Sequence, residues 1–197
     1  VRVWRSTWAI PAFSAVMLCL AYGVVRLCRS LIVMIDAFSC DAVDSVHLQH
    51  ISHVWNTTQA VLRKVSADVE KCLVVLCLVL AVLVPLIAVD LAILGIRSQD
   101  VPAIFPGLAI MSGILYALVL AATVSEKCAR VPALINAMSF GPGRDQERQR
   151  VVDYITSSAA GFYVFDTRLT TTTVLKFTYF WCIVVGGVLT KWAAPSL

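Results

Sequence analysis

Residues 72–95 read CLVVLCLVLAVLVPLIAVDLAILG. Asp90 is the one acidic or basic residue in the run. At 1.5 Å rise per residue a helix of this length covers about 36 Å, more than the roughly 30 Å of a bilayer's hydrocarbon. Backbone groups cannot stay unpaired in lipid, so a crossing segment is a helix or a strand of a closed barrel. Nothing in the run alternates with the two-residue period of a barrel strand. It therefore reads as a transmembrane helix. Pro85 lies inside it and should bend it, a defect that neighbouring helices absorb.

Three more runs are of the same kind. They are Trp8–Val25 (WAIPAFSAVMLCLAYGVV), Ala103–Val124 (AIFPGLAIMSGILYALVLAATV) and about Thr172–Thr190 (TTVLKFTYFWCIVVGGVLT). Pro11 falls in the first turn of its helix, where a missing N–H costs little. The composition agrees: of 197 residues 59% are hydrophobic and 14% charged, at a mean hydropathy of +0.84. A soluble domain of this size could not cover so much apolar surface. The expected fold is an all-α, polytopic transmembrane helical bundle of four spans, forming one domain over 1–197 with the lipid bilayer as its first partner. No signal-peptide pattern or initiator Met opens the chain, so Val1 reads as the start of a fragment or of an incomplete gene model. Cys19, Cys28, Cys40, Cys72, Cys77, Cys128 and Cys182 are scattered, several in apolar runs, with neither a disulfide framework nor paired metal spacing. Most serve as small buried apolar residues.

The connections are unequal. Ser98–Pro102 is a short turn, which makes the second and third spans antiparallel neighbours. The stretches 26–71 and 125–168 are long and polar. Arg26, Arg29, Arg63, Lys64 and Lys71 lie in the first, and Lys127, Arg130, Arg144, Arg148, Arg150 and Arg168 in the second. Arg97 is alone in the short turn, Arg2 and Arg5 precede the first span, and Lys191 follows the last. The positive-inside rule makes both long stretches cytoplasmic and the C-terminus extracellular. These stretches are not disordered. Val46, Ile51, Val54, Val61, Val65 and Val69 recur at helical spacing, and SEKCARVPALINAMSF continues the third span until Gly141-Pro142-Gly143 breaks it. RDQERQR then starts a new helix. The spans are expected to run on as helices into the cytoplasm.

Several polar residues are candidate sites. Asp44, His47, His50 and His53 are three apart, but a single-helix metal pair is usually i, i+4 and no second cluster completes four ligands. They read as a polar helix face, and no metal is expected. Asn56-Thr57-Thr58 fits the glycosylation pattern, and on this topology it stays unmodified, which makes it a test of orientation. Asp90 sits near the outer end of its span. It either serves an outward-facing cavity, as a candidate ligand-pocket residue, or snorkels to the interface beside Arg97. Lys176 enters the fourth span after Thr170–Thr173. It either snorkels to the cytoplasmic interface or faces water along the helix. The threonines do not decide this, because their hydroxyls can bond back to carbonyls one turn earlier. Gly186 and Gly187 let another helix approach closely. No phosphate loop, nucleophile elbow, H-E-x-x-H or inward carboxylate pair is present, so neither enzymatic activity nor a cofactor nor a nucleic-acid partner is expected.

The stretch GFYVFDTRLTTTTVLKFTYFWCIVV (161–185) resembles the C-terminal signature of insect-type gustatory receptors and their receptor-like relatives. Gly161, Phe162, Tyr163 and Asp166 match its G-F-F/Y-x-L/I/F-D part, and Thr178-Tyr179 match its T-Y. The organisation is similar too: two antiparallel spans, a cytoplasmic helix, a break and a second helix leading into the motif. The resemblance covers the chain as the last four of seven spans. It implies a plasma-membrane chemosensory receptor for taste, a ligand-gated non-selective cation channel, assembled as a homotetramer or with related receptors and opened by a small-molecule tastant from outside. The last helix would line the pore, with Lys176, Thr178, Tyr179, Trp181, Val185 and Gly186 as its candidate lining. The chain departs from the signature at Val185-Gly186, where the family has Gln-Phe. Two other functions stay open: a membrane protein of this fold without conductance, acting in structure or interaction, and a small transporter. A transporter should show inverted repeats and broken helices with charged midplane residues, which the sequence does not.

Overall fold

The computed structural model describes residues 9–44, 48–94, 101–138, 145–158, 160–164 and 167–193. Five helices and one small hairpin are present among them: α1 Ala9–Asp44, α2 Leu48–Leu94, α3 Val101–Ala137, α4 Asp145–Ser157, β1 Tyr163–Val164, β2 Thr167–Arg168 and α5 Thr171–Ala193. α1, α2 and α3 are each long and apolar enough to cross a membrane. At 36, 47 and 37 residues they measure roughly 54, 70 and 55 Å, so each is longer than the roughly 30 Å of a bilayer's hydrocarbon. The polar stretch after the first span is thus formed by the end of α1 and the first half of α2, whereas the stretch after the third continues α3 only to Ala137 and then holds α4 and the hairpin. α2 runs through Pro85 without interruption.

One buried seam explains why α2 is a single rod. Ile51, Trp55, Leu62, Val69, Leu73, Leu76, Leu80 and Val84 are all at most 4% exposed. Their spacing is three, four or seven residues, close to a heptad pattern, so one face stays on the partner helices. The other faces change from polar to apolar along the rod while the seam does not. The spacing read from sequence is one residue off in two places: Val54 is half-buried beside fully buried Trp55, and the second lies one step on. Val61 is 42% exposed, and its neighbour Leu62 takes the seam at 2%. Val46 lies outside the described residues.

α1 packs along much of α3. The approach is close because α3 presents Ala117, Ala121 and Ala122, all 0% exposed, with Gly113 one turn further on. A Cβ at Gly113 would meet Leu18 Cδ2 at 3.5 Å. Small residues on a membrane helix let backbones come together and gain dispersion contacts. Two polar links mark the register. Arg29 donates to the Tyr116 hydroxyl at 2.7 Å while its guanidinium lies over the ring, 5.8 Å from the centroid. Lys127 pairs with Asp36. The partners' numbers rise together, so α1 and α3 run parallel. α2 runs the other way, and α5 follows α2. Past the apolar runs the same buried core continues, with Phe38 against Trp55 at 5.2 Å between ring centroids and with Ile135 and Ile155 buried.

Candidate functional site: a hairpin clasp and the helix it launches

The segment between α4 and α5 is short of apolar pattern, yet it is tied to two long helices by side chains. α2 supplies three donors. Trp55 Nε1 reaches Ser158 Oγ at 3.3 Å, Gln59 Nε2 reaches the Ser158 carbonyl at 3.2 Å, and Ser66 Oγ reaches the Gly161 carbonyl at 3.2 Å. α3 contributes Ser125, 0% exposed, whose hydroxyl accepts the Phe162 N–H at 2.9 Å. Phe162, also 0% exposed, thereby pays no penalty for a buried, unpaired amide. β1 and β2 pair antiparallel, Tyr163 opposite Arg168 and Val164 opposite Thr167. Leu169 N–H closes the hairpin on the Phe162 carbonyl at 2.9 Å.

Arg168 turns back across this hairpin. Its Nη2 donates to the Ser125 carbonyl at 2.8 Å and the Ala160 carbonyl at 2.9 Å. Gly161 sits beneath it with φ of 152°, a backbone that residues with a Cβ rarely adopt. A Cβ there would also lie 3.2 Å from Arg168 Nε and 3.3 Å from Ser125 Oγ. The backbone calls for glycine, and the space around it is tight.

The threonines now have individual roles. Thr170 is the N-cap of α5: its Oγ1 accepts the Thr173 N–H at 3.2 Å and its carbonyl accepts the Val174 N–H at 3.0 Å. The Thr171 N–H goes to Glu126 Oε1 of α3 at 2.9 Å, a carboxylate at the positive end of the helix dipole. Thr178 donates back to the Val174 carbonyl at 2.9 Å, so its proton is used within its own helix. Neighbouring residues Ser125 and Glu126 of α3 thus hold both the hairpin and the first turn of α5.

α5 lies against α2 and α3 through one face. The six residues expected to line a pore divide between two sides of it. Lys176 is exposed and Tyr179 is 69% exposed, beside Leu175, Phe180 and Ile183. Thr178, Trp181, Val185 and Gly186 instead border a groove of about 410 Å³ against Leu80 and Val84 of α2 and Met111 and Leu115 of α3. Trp181 meets Phe180 and Phe177 edge-on, at 5.5 and 6.1 Å between centroids. Its indole N–H is shut off from solvent and has no hydrogen-bond partner among the described residues.

Other residues singled out in the sequence are placed as follows. Gly161, Phe162 and Tyr163 are in the clasp, while Asp166 lies outside the described residues. Asp90 belongs to α2, but its side chain is outside the described set. His50 Nε2 stands 3.2 Å from Asp41 of α1, with both side chains exposed, and His53 is exposed; His47 is not described. Asn56 is exposed, and its side-chain oxygen accepts the Tyr154 hydroxyl of α4. Arg97 and the Gly-Pro-Gly break lie outside the described residues. Ser125 and Glu126 were not anticipated as site residues. No family model matches this chain, and neither does a curated protein or a solved structure.

Proposed function

We propose that this chain is the four-span, C-terminal part of a gustatory-type chemoreceptor, a ligand-gated cation channel of the plasma membrane whose pore is shared among copies along α5. The observation that carries the reading is how α5 is held. Its first turn is anchored through Glu126 and the hairpin, and one face packs on α2 and α3. The opposite face, with Leu175, Lys176, Tyr179 and Ile183, is uncovered. A helix at the edge of a bundle with a free face suits meeting other copies around an axis. In this arrangement α5 is the fourth span, Lys176 sits about 7 Å from its start, and the lysine snorkels to the cytoplasmic headgroups rather than crowding the axis with positive charge. Ligand opens the pore by favouring one arrangement of α5 over another through differential contacts.

A second reading is favoured by Val185 and Gly186. Without the signature's Gln-Phe the last helix has no amide at this depth, and its free apolar face suits lipid equally well. The protein would then keep the receptor architecture without conducting. Cell-surface expression of the full-length protein with calcium imaging against a broad tastant panel separates the two. A compound that raises cytosolic calcium supports the channel, and silence despite surface tetramers supports the second reading.

A further inference from the structure

Two arginines interrupt an apolar outer stripe of α1. Leu18, Tyr22, Arg26, Arg29 and Val33 follow one another at steps of four and three, and all five are exposed, so they share one side of the helix. Leu18 is the side chain that a Cβ at Gly113 of α3 would touch, so the stripe runs along the edge between α1 and α3. Arg29 crosses that edge to Tyr116 of α3, which is itself exposed. Neither arginine meets an acid. Among the described residues the Arg26 guanidinium has no partner, and Arg29 has the Tyr116 hydroxyl and ring. The first carboxylate along α1 is Asp36, roughly 10 Å of helix past Arg29, and it is paired with Lys127. The first along α3 is Glu126, which holds Thr171. α2 has no charged residue between Lys71 and Asp90.

We propose that Arg26 and Arg29 form a headgroup site for an anionic phospholipid of the cytoplasmic leaflet, with both guanidinium groups on its phosphate and its acyl chains along Tyr22 and Leu18. This rests on the reading of α1 as a membrane-crossing helix with residues 26–71 on the cytoplasmic side. Depth fits a phosphate. α1 begins at Ala9, so Arg26 and Arg29 lie roughly 26 and 30 Å along its axis, where a hydrocarbon layer of roughly 30 Å ends. A snorkelling arginine reaches away from the apolar zone, and Arg29 does not. The hydroxyl it holds belongs to Tyr116, roughly 12 Å of helix inside the end of the apolar run Ala103–Val124. A guanidinium kept beside lipid favours an anion within reach. Tyr116 takes one of its five N–H donors and fixes its plane, which leaves the rest of the fork for phosphate oxygens and lowers the cost of ordering it. Charge then selects the lipid. Two cations without a counter-ion, with apolar side chains above them, suit a headgroup of net negative charge. In a choline lipid the phosphate's charge is cancelled by its own ammonium.

The test titrates full-length protein in detergent with dioleoyl phosphatidylserine or dioleoyl phosphatidylcholine and counts retained lipids by native mass spectrometry. The serine lipid should bind about thirtyfold more tightly, the worth of two basic side chains near an anionic headgroup. Arg26→Gln removes a charge that has no protein partner, so the fold is kept, and binding of the serine lipid should weaken about fivefold. Arg26→Lys keeps the charge and should lose less. In the variant with both Arg26→Gln and Arg29→Gln the two lipids should bind equally. Arg150→Gln, at an exposed position of α4, should leave the preference as it is. Equal binding of the two lipids by the unaltered protein would overturn the proposal. So would a preference untouched by Arg26→Gln, or one lowered as much by Arg150→Gln, which would make it a property of overall charge. A glycan at Asn56 would put the two arginines at the outer leaflet and overturn the assignment to cytoplasmic lipid. Conductance does not enter the readout, so a preference for the serine lipid in a silent protein leaves this inference standing while the channel reading falls.

Discussion

At Gly161 a single hydrogen atom in place of a methyl group decides whether the chain can pass from α4 into the hairpin. Gly161→Ala meets both an unfavourable backbone and the Arg168 and Ser125 side chains. The expected cost is on the order of 1–3 kcal/mol, read as a lower melting temperature of the purified protein. Ser125→Ala removes the acceptor of the buried Phe162 N–H and should cost about 1–3 kcal/mol by the same measurement. Thr170→Ala removes the cap of α5 and should cost about 1 kcal/mol, with faster amide exchange in the first turn of α5 as the local signature. If Thr170→Ala leaves that exchange unchanged, the threonine is not the cap that its geometry indicates.

Helices in this chain announce themselves because each buries one face, and the repeat of three and four residues survives even where the remaining faces turn from polar to apolar. α1, α2 and α3 are legible for that reason, including their continuation beyond the apolar runs. The seam of α2 was misplaced at Val61 because apolar neighbours at 61 and 62 compete and only packing chooses between them. The hairpin is not legible as strands: two-residue strands are too short to show a period. The clasp itself could not be read, because Ser125 meets Phe162 across 37 positions and Glu126 meets Thr171 across 45. A serine in an alanine-rich helix carries no sign of a distant partner. The small residues of α3 give a prediction at this scale. Ala121→Leu would force α1 and α3 apart and should cost about 1–3 kcal/mol in thermal stability, whereas the same change at exposed Ala109 should leave the melting temperature nearly unmoved.

For the whole molecule, orientation is the first question. If the long polar extensions are cytoplasmic, Asn56 never meets the glycosylation machinery, and the full-length protein should show no enzymatically removable glycan there. A glycan at Asn56 would invert the arrangement, and with it the side from which the groove and the clasp are reached. The length of α2 has a mechanical consequence. A rod of 47 residues, roughly 70 Å long, that pivots by about 5° at its middle displaces each tip by about 3 Å. Its lower part grips the clasp through Trp55, Gln59 and Ser66, and its upper part walls the groove through Leu80 and Val84. The two places are the arms of one lever, so a shift felt at either is delivered to the other without any signal having to pass from side chain to side chain.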